Sequence, residues 1–314
     1  MWFKQVQLFR LMDAFRLPIE QVIEKLEPLA FTSCLPSMPF GMGWVSLVDE
    51  EGAPLARMVN GCIMLCLQIE EKILPASVIR QELMDKVKQI EALEGRKVYQ
   101  KQKLSLRDEI TMTLLPRAFS KLTRVYAYID TRNQWLVLGS SNEKKTEQFL
   151  SLFKKSISEN IFPYELNKLS PVTTHWLKKQ NHPQALSIEK SCVLIDPDQQ
   201  NRVVRCQQQD LFAEAIQALI KDGYEVKQLA LCWHDLIRFV LVDNFSLQGI
   251  RFEDQVIAQS KEMEPETRQQ QFDADFFMMT ETLTGLLNEL LQLFIKSEKS
   301  VKTEKSRVAE TEMA

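Results

Sequence analysis

Residues 114–124 read LLPRAFSKLTR, and a helical pattern gives way to a β pattern inside them. A proline lacks the N–H that a helix interior needs and its ring clashes with the preceding turn, so a helix must kink or end near Pro116. Upstream, residues 75–100 (PASVIRQELMDKVKQIEALEGRKVYQ) carry Val78, Leu83, Val87, Ile90 and Leu93 near helical spacing, with Gly95 as a stop. Residues 105–119 (SLRDEITMTLLPRAF) predict a second helix, with Ser105 as N-cap and Asp108 near the positive end of its dipole. Downstream, residues 124–141 (RVYAYIDTRNQWLVLGSS) predict a hairpin turning at Arg132-Asn133. A helical excursion of roughly 45 residues is thus expected between β-rich parts. Phe119 falls at an element end among Arg117, Lys121 and Arg124, either as a core plug or as an anchor for a second copy of the chain.

Working outward, MWFKQVQLFRL (1–11) alternates like a strand and has no small-residue cleavage site, so it is not read as a signal peptide. LPIEQVIEKLEPLA (17–30) predicts a helix opened by Pro18, and GWVSLV (43–48) a short strand. ARMVNGCIMLCLQIE (56–70) predicts a hairpin turning at Asn60-Gly61, where both residues tolerate positive φ. Ser140 and Glu143 have capping-box spacing for a helix over 142–157. Pro163 to Ser170 reads as a linker, with Ser170-Pro171 capping a short helix. Strands follow around 191–195 and 202–208. A helix over 211–221 has Asp210 as N-cap and Gly223 as C-cap, and three more strands lie within 225–252. A long amphipathic helix begins near Phe272, and the Lys/Glu/Ser/Thr-rich end predicts a disordered tail.

The expected class is α+β. Residues 1–75 with 122–168 form a central α+β domain, 76–121 a helical tip, and 169–262 a second α+β base domain. Residues 263–298 form a C-terminal helix packing on the centre, and 299–314 the tail.

Composition narrows the function. Of 314 residues, 45% are hydrophobic and 26% charged, as in a soluble globular protein, and no run is long enough to span a membrane. The expected location is cytoplasmic. Six scattered cysteines form no C-x-x-C pair and read as reduced, buried thiols. The net charge is −3, but it is unevenly spread. From Lys86 to Arg124 ten bases face four acids, and from Asp243 onward fourteen acids face eight bases. A one-signed segment on an acidic body concentrates a polyanion at one place. Lys86, Lys88, Arg96, Lys97, Lys101, Lys103, Arg117, Lys121 and Arg124 are therefore the candidate DNA contacts, of the backbone-positioning kind that reads little sequence.

Catalytic signals are weak. Nine glycines form no phosphate-cradling loop, and His175, His182 and His234 stand apart from any nucleophile pattern. The chain is expected not to be an enzyme and to need no cofactor or metal. The alternative is a metal-dependent nuclease acting on DNA through Asp273, Asp275 and Asp254. Asp273 and Asp275 are otherwise expected to complement a helix N-terminus.

The segments MWFKQVQLFRL, AFTSC (30–34), MGWV (42–45), EEKILPASVI (70–79), LLPRAFSK (114–121), YIDT (128–131), QQQDL (207–211), LALCW (229–233) and QFDADFFMMTETL (271–283) occur in this order. Together they resemble the RdgC family of recombination-associated proteins, from residue 1 to about residue 295. The resemblance implies a curved subunit that pairs at both ends into a ring-shaped dimer with a basic lining. It implies binding of single- and double-stranded DNA without sequence preference, at the nucleoid, and restraint of the RecA recombinase by competition for DNA. It implies no enzymatic activity. It places Phe119 at a subunit contact and residues 207–211 in a loop facing the hole, where the family usually has KKQDL. Gln208 and Gln209 are carried over as DNA contacts, with Gln207 and Gln208 standing where cations are common. Arg205, with Arg202, is expected to supply the missing charge.

Overall fold

A computed structural model describes residues 2–12, 14–48, 52–164, 169–199 and 201–312, with side chains described to residue 294. The chain is mixed α+β, built on one antiparallel sheet. Its strands are β1 (Val6–Leu11), β2 (Phe40–Trp44), β3 (Ala56–Val59), β4 (Cys62–Ile73), β5 (Phe119–Asp130), β6 (Trp135–Leu138), β7 (Ile161–Pro163), β8 (Leu186–Ile195), β9 (Val203–Gln207), β10 (Glu225–Trp233), β11 (Ile237–Val242) and β12 (Ser246–Phe252). The helices are α1 (Ile19–Leu26), α2 (Ala76–Glu94), α3 (Gln100–Leu114), α4 (Glu143–Ile157), α5 (Leu169–Lys179), α6 (Glu214–Lys221), α7 (Asp254–Glu262) and α8 (Arg268–Glu312). The main sheet order is β2-β4-β5-β6-β1-β12-β11-β10-β8-β9, with β3 on β4 and β7 on β1. β1 alone joins the β2–β6 half to the β8–β12 half, through Val6↔Leu247 on one side and Gln7↔Leu138 on the other.

Side-chain alternation explains why the first half is covered on both faces. Odd-numbered residues of β4 (Ile63, Leu65, Leu67) join Val125, Ala127 and Ile129 of β5 beneath α1 and α4, against Val22, Leu26, Phe149 and Phe153. Even-numbered ones (Cys62, Met64, Cys66) join Tyr128 beneath α8, against Phe276, Met279, Leu283 and Leu287. β4 therefore reads as an unbroken apolar run, and each such Leu, Ile or Phe buried contributes about 1.5–3 kcal/mol. In the β8–β12 half, α5, α6 and α8 cover one face through Trp176, Leu177, Ile216, Ile220 and Phe294.

The Asn60-Gly61 hairpin forms as expected, with φ of 47° and 75°. Several expected boundaries move. The strand expected over 43–48 is instead β2, because Phe40–Trp44 is the stretch that registers with Glu71–Leu67 of β4. α3 starts five residues before Ser105, after an extended Tyr99, and the Ser105 hydroxyl donates to the Lys101 carbonyl instead of capping. The cap of α4 is Asn142, which accepts from the Lys145 N–H, while Ser140 supports it by accepting from the Asn142 N–H. Asp210 accepts from the Phe212 N–H in a turn ahead of α6, whose cap positions are Ala213 and Asp222. α5 begins at Leu169, so Ser170 lies in its first turn and donates to Glu225. α7 was not anticipated. The tail expected over 299–314 lies outside the residues whose side chains are described.

One glycine is required by close approach. A Cβ on Gly43 would lie 2.4 Å from Phe31 Cα and 2.6 Å from Phe31 N, where the Phe31 N–H donates to the Trp44 carbonyl. Both neighbours are backbone and cannot rotate away. Gly43→Ala is expected to cost about 1–3 kcal/mol by overpacking, read as a lower thermal midpoint with the sheet signal retained below it.

Candidate nucleic-acid interface

Pro116 sits in a 3₁₀ turn over Leu115–Arg117, and β5 begins two residues later. Between the ends of β4 and β5, α2 and α3 stand as an antiparallel pair. α2 buries no residue and α3 buries only Leu106 and Ile110, so this excursion is mostly surface. Lys86 is committed to Glu109 at 2.7 Å, and Arg96 to Glu94 at 2.6 Å and to Gln102 Oε1 at 3.1 Å. Lys88, Lys97, Lys101, Lys103 and Arg117 join no ion pair among the described residues. Helical spacing sets Lys103 near Arg107 and sends Lys101 to the other flank of α3. The cations thus surround the α2–α3 turn instead of lining one face.

The ribbon of β4 and β5 separates the three cations of the opening stretch. Phe119 pairs with Ile73, Lys121 with Glu71, and Arg124 with Gln68. Phe119 and Lys121 share the face occupied further along by Val125, whereas Arg124 lies on the opposite face, donating to Gln68 Oε1 at 3.2 Å. A hydrogen bond from Lys144, aided by the charges of Lys144 and Lys121, holds the Glu71 carboxyl below its ordinary value. Phe119 is 85% exposed, so it is not a core plug. Ile73, directly opposite, and Phe40, across from Glu71 on β2, are half exposed on the same face, making an apolar patch rimmed by Lys121, Glu71 and Lys144.

A second basic surface holds the expected Arg205 and Gln208, together with Lys227, Arg238 and Arg251, which were not singled out from the sequence. Among the described residues, those alternating with the core positions of β8–β12 have no helix core against them. They include Arg205, Gln207, Lys227, Arg238 and Arg251, with the Glu189 carboxylate acting on Arg238 beside them. A groove on this face is lined by Ser191, Val193, Arg205, Gln208, Lys227 and Val240. A register shift between Val226 and Gln228 turns Lys227 out beside Gln228. Arg238 and Arg251 face each other directly across β11 and β12, an arrangement that costs stability for like charges. Glu253 pairs with Arg238 at 2.7 Å, while Arg205, Lys227 and Arg251 join no ion pair among the described residues. Gln208 follows β9 with φ of 52°, and the Gln209 N–H donates to the Lys190 carbonyl, so the expected loop adjoins this groove. Arg202 points elsewhere, toward Asp196 at 3.7 Å. The signal for these residues was present but hidden. A single cation at an outward position of an apolar strand looks like ordinary alternation until the opposite face is known to be bare.

The carboxylates do not assemble. Asp273 takes a two-pronged hydrogen bond from Arg57, at 2.5 Å for each arm. Asp275 accepts from Ser260 and Gln271 at 2.9 Å each, and Asp254 opens α7. Neither Asp273 nor Asp275 lies in the first turn of α8, so the expected helix-terminus role is also corrected. Among the described residues no three His, Cys, Asp or Glu side chains gather as a metal site. His182 lies beside the Pro183 carbonyl and His234 beside Glu289. No helix among the described residues is long and apolar enough to cross a membrane.

A family model described as "Putative exonuclease, RdgC" matches residues 1–297. The chain belongs to the RdgC family. It is similar to the recombination-associated protein RdgC of Yersinia pestis (strain Pestoides F), 35% identical over 294 residues that cover 93% of this chain and 97% of the relative. The recombination-associated protein RdgC of Yersinia enterocolitica is 34% identical over the same shares. The RdgC family's description thus mentions an exonuclease, whereas its similar members are named for recombination alone.

Proposed function

We propose that this chain binds DNA without sequence preference, as a ring-shaped dimer that encircles single- or double-stranded DNA and withholds it from RecA. It does so as a binder and not as an enzyme, on the nucleoid in the cytoplasm. The observation that carries the reading is the uncommitted positive charge in two places, around the α2–α3 turn and on the bare face of β8–β12. Membership of a recombination-associated family supports it. Lys and Arg side chains displace counterions from phosphates, so affinity falls steeply with salt and hardly varies with sequence. Gel retardation of unrelated duplexes over a salt series tests this, and a flat salt response would remove the mechanism.

The apolar patch around Phe119 is the proposed seat of one subunit contact, isologous about a two-fold axis. Phe119→Ala is expected to weaken dimerisation about thirtyfold or more, as for a buried aromatic anchor. It should also shorten retention on closed circular DNA while leaving the monomer folded. Sedimentation velocity and a plasmid-retention assay measure these two effects, and unchanged values in both would make Phe119 incidental.

The second reading, a nuclease, is favoured by the family model's description. Incubation of plasmid with the protein and Mg²⁺ separates the two, because a nuclease shortens DNA and a binder only retards it.

A further inference from the structure

We propose that Tyr99 is a stacking platform for an unpaired base, which makes the α2–α3 turn a site for single-stranded DNA in particular. The inference rests on the DNA-binding reading above and specifies which form of DNA this turn takes.

The ring is presented by a clamped loop. Glu91 holds both ends of that loop, its carbonyl accepting from the Gly95 N–H at 3.0 Å and its carboxylate from the Val98 N–H at 2.9 Å. Gly95 is left-handed, with φ of 64°, and Val98 is buried at 4% exposure. With Val98 turned in, the extended residue that follows is turned out, and Tyr99 is 75% exposed. No ring contact or side-chain hydrogen bond engages it among the described residues. The backbone beneath the ring is therefore fixed before any ligand arrives.

Its surroundings name the ligand. Residues 95–107 (GRKVYQKQKLSLR) hold five cations and no acid. Arg96 is occupied by Glu94 and Gln102, which leaves Lys97, Lys101 and Lys103 uncommitted on either side of the ring and Arg107 further along α3. An aromatic face beside a track of cations is the chemistry that holds single strands: the base lies on the ring and the flanking phosphates meet the ammonium groups. In a duplex each base face is already covered by its neighbours, so the same ring gains nothing there. A partner protein would have Leu93 and Leu104 to cover as well, both exposed at this turn, but it would have to leave the ammonium groups unpaired or bring its own acids.

The test compares an oligothymidylate with a blunt duplex of equal length by fluorescence anisotropy. Tyr99→Ala is expected to weaken single-strand binding about 5- to 150-fold and duplex binding by less than about twofold. Tyr99→Phe keeps the aromatic face and should restore single-strand affinity. An equal loss on both forms, no loss on the single strand, or failure of Tyr99→Phe to restore binding would overturn the assignment while leaving DNA binding itself in place. A wild-type chain that binds neither form overturns the DNA-binding reading instead. Because Tyr99 lies on the surface, the variants should share the wild-type circular dichroism spectrum.

Discussion

A chain carrying Arg205→Glu, Lys227→Glu and Arg251→Glu together is expected to lose duplex affinity on the order of several hundredfold at about 0.1 M salt, since each lost phosphate contact removes close to a tenfold counterion factor. The slope of log affinity against log salt should flatten by about three units for the same reason. Arg238 is left in place because Glu253 already holds it. The three side chains lie on the face without a helix, so the fold should survive, and circular dichroism checks that it does. Fluorescence anisotropy over a salt series gives both quantities. Affinity and slope unchanged from wild type would mean that the bare face does not meet DNA, and would leave the α2–α3 turn as the remaining basic surface.

The second large effect concerns how α8 is fixed to the sheet. Asp130, fully buried at the end of β5, accepts from the Arg132 and Asn133 N–H groups at 2.9 and 3.1 Å. It also accepts from the Asn133 side chain at 2.8 Å and from Thr284 of α8 at 3.2 Å. Arg132 in turn reaches Glu281 of α8 at 2.7 Å, and Asn60 from the other hairpin meets the same carboxylate at 3.0 Å. Beside them the Tyr128 phenol is pushed well above its ordinary value, by burial first and then by the neighbouring Cys62 and Asp130, so it stays neutral. Asp130→Ala takes the shared acceptor from these partly buried donors and is expected to cost on the order of 1–3 kcal/mol. Asp130→Asn keeps one carbonyl acceptor and should cost less. Denaturant titration followed by tryptophan fluorescence gives both values, and an Ala variant as stable as wild type would show that α8 is held by its apolar face alone.

Much of this architecture was legible in local chemistry. The Asn60-Gly61 turn, the stop at Gly95 and the break at Pro116 each rest on a backbone property of one residue, and each falls where expected. Boundaries set by competition between neighbours were less legible. Ser105 is a good N-cap in isolation, but the helix was already running because Val98 and Glu91 had fixed the preceding loop. Ser140 lost the cap of α4 to Asn142, two residues nearer the first turn. The candidate interface was legible as a charge imbalance and not as a surface. Which cations are committed, as Lys86 is to Glu109, depends on pairing across 23 residues, and the face of Arg251 depends on which side α8 covers. The carboxylates misled because FDADF suggests ligand spacing, whereas Arg57, more than two hundred residues earlier in the chain, neutralises Asp273.

The placement of β1 between β6 and β12 has a consequence for biosynthesis. β1 finds Leu136 and Leu138 early on one edge and β7 soon after at the far end of the other, but Val6 and Gln7 must wait for Ser246 and Leu247 before that edge is complete. The even-numbered face of β4 stays wet for longer still, until α8 emerges. At about 5–20 residues per second the nascent chain carries an open strand edge and a bare apolar face for many seconds, the condition under which chaperones engage a polypeptide and slow, late-closing sheets aggregate.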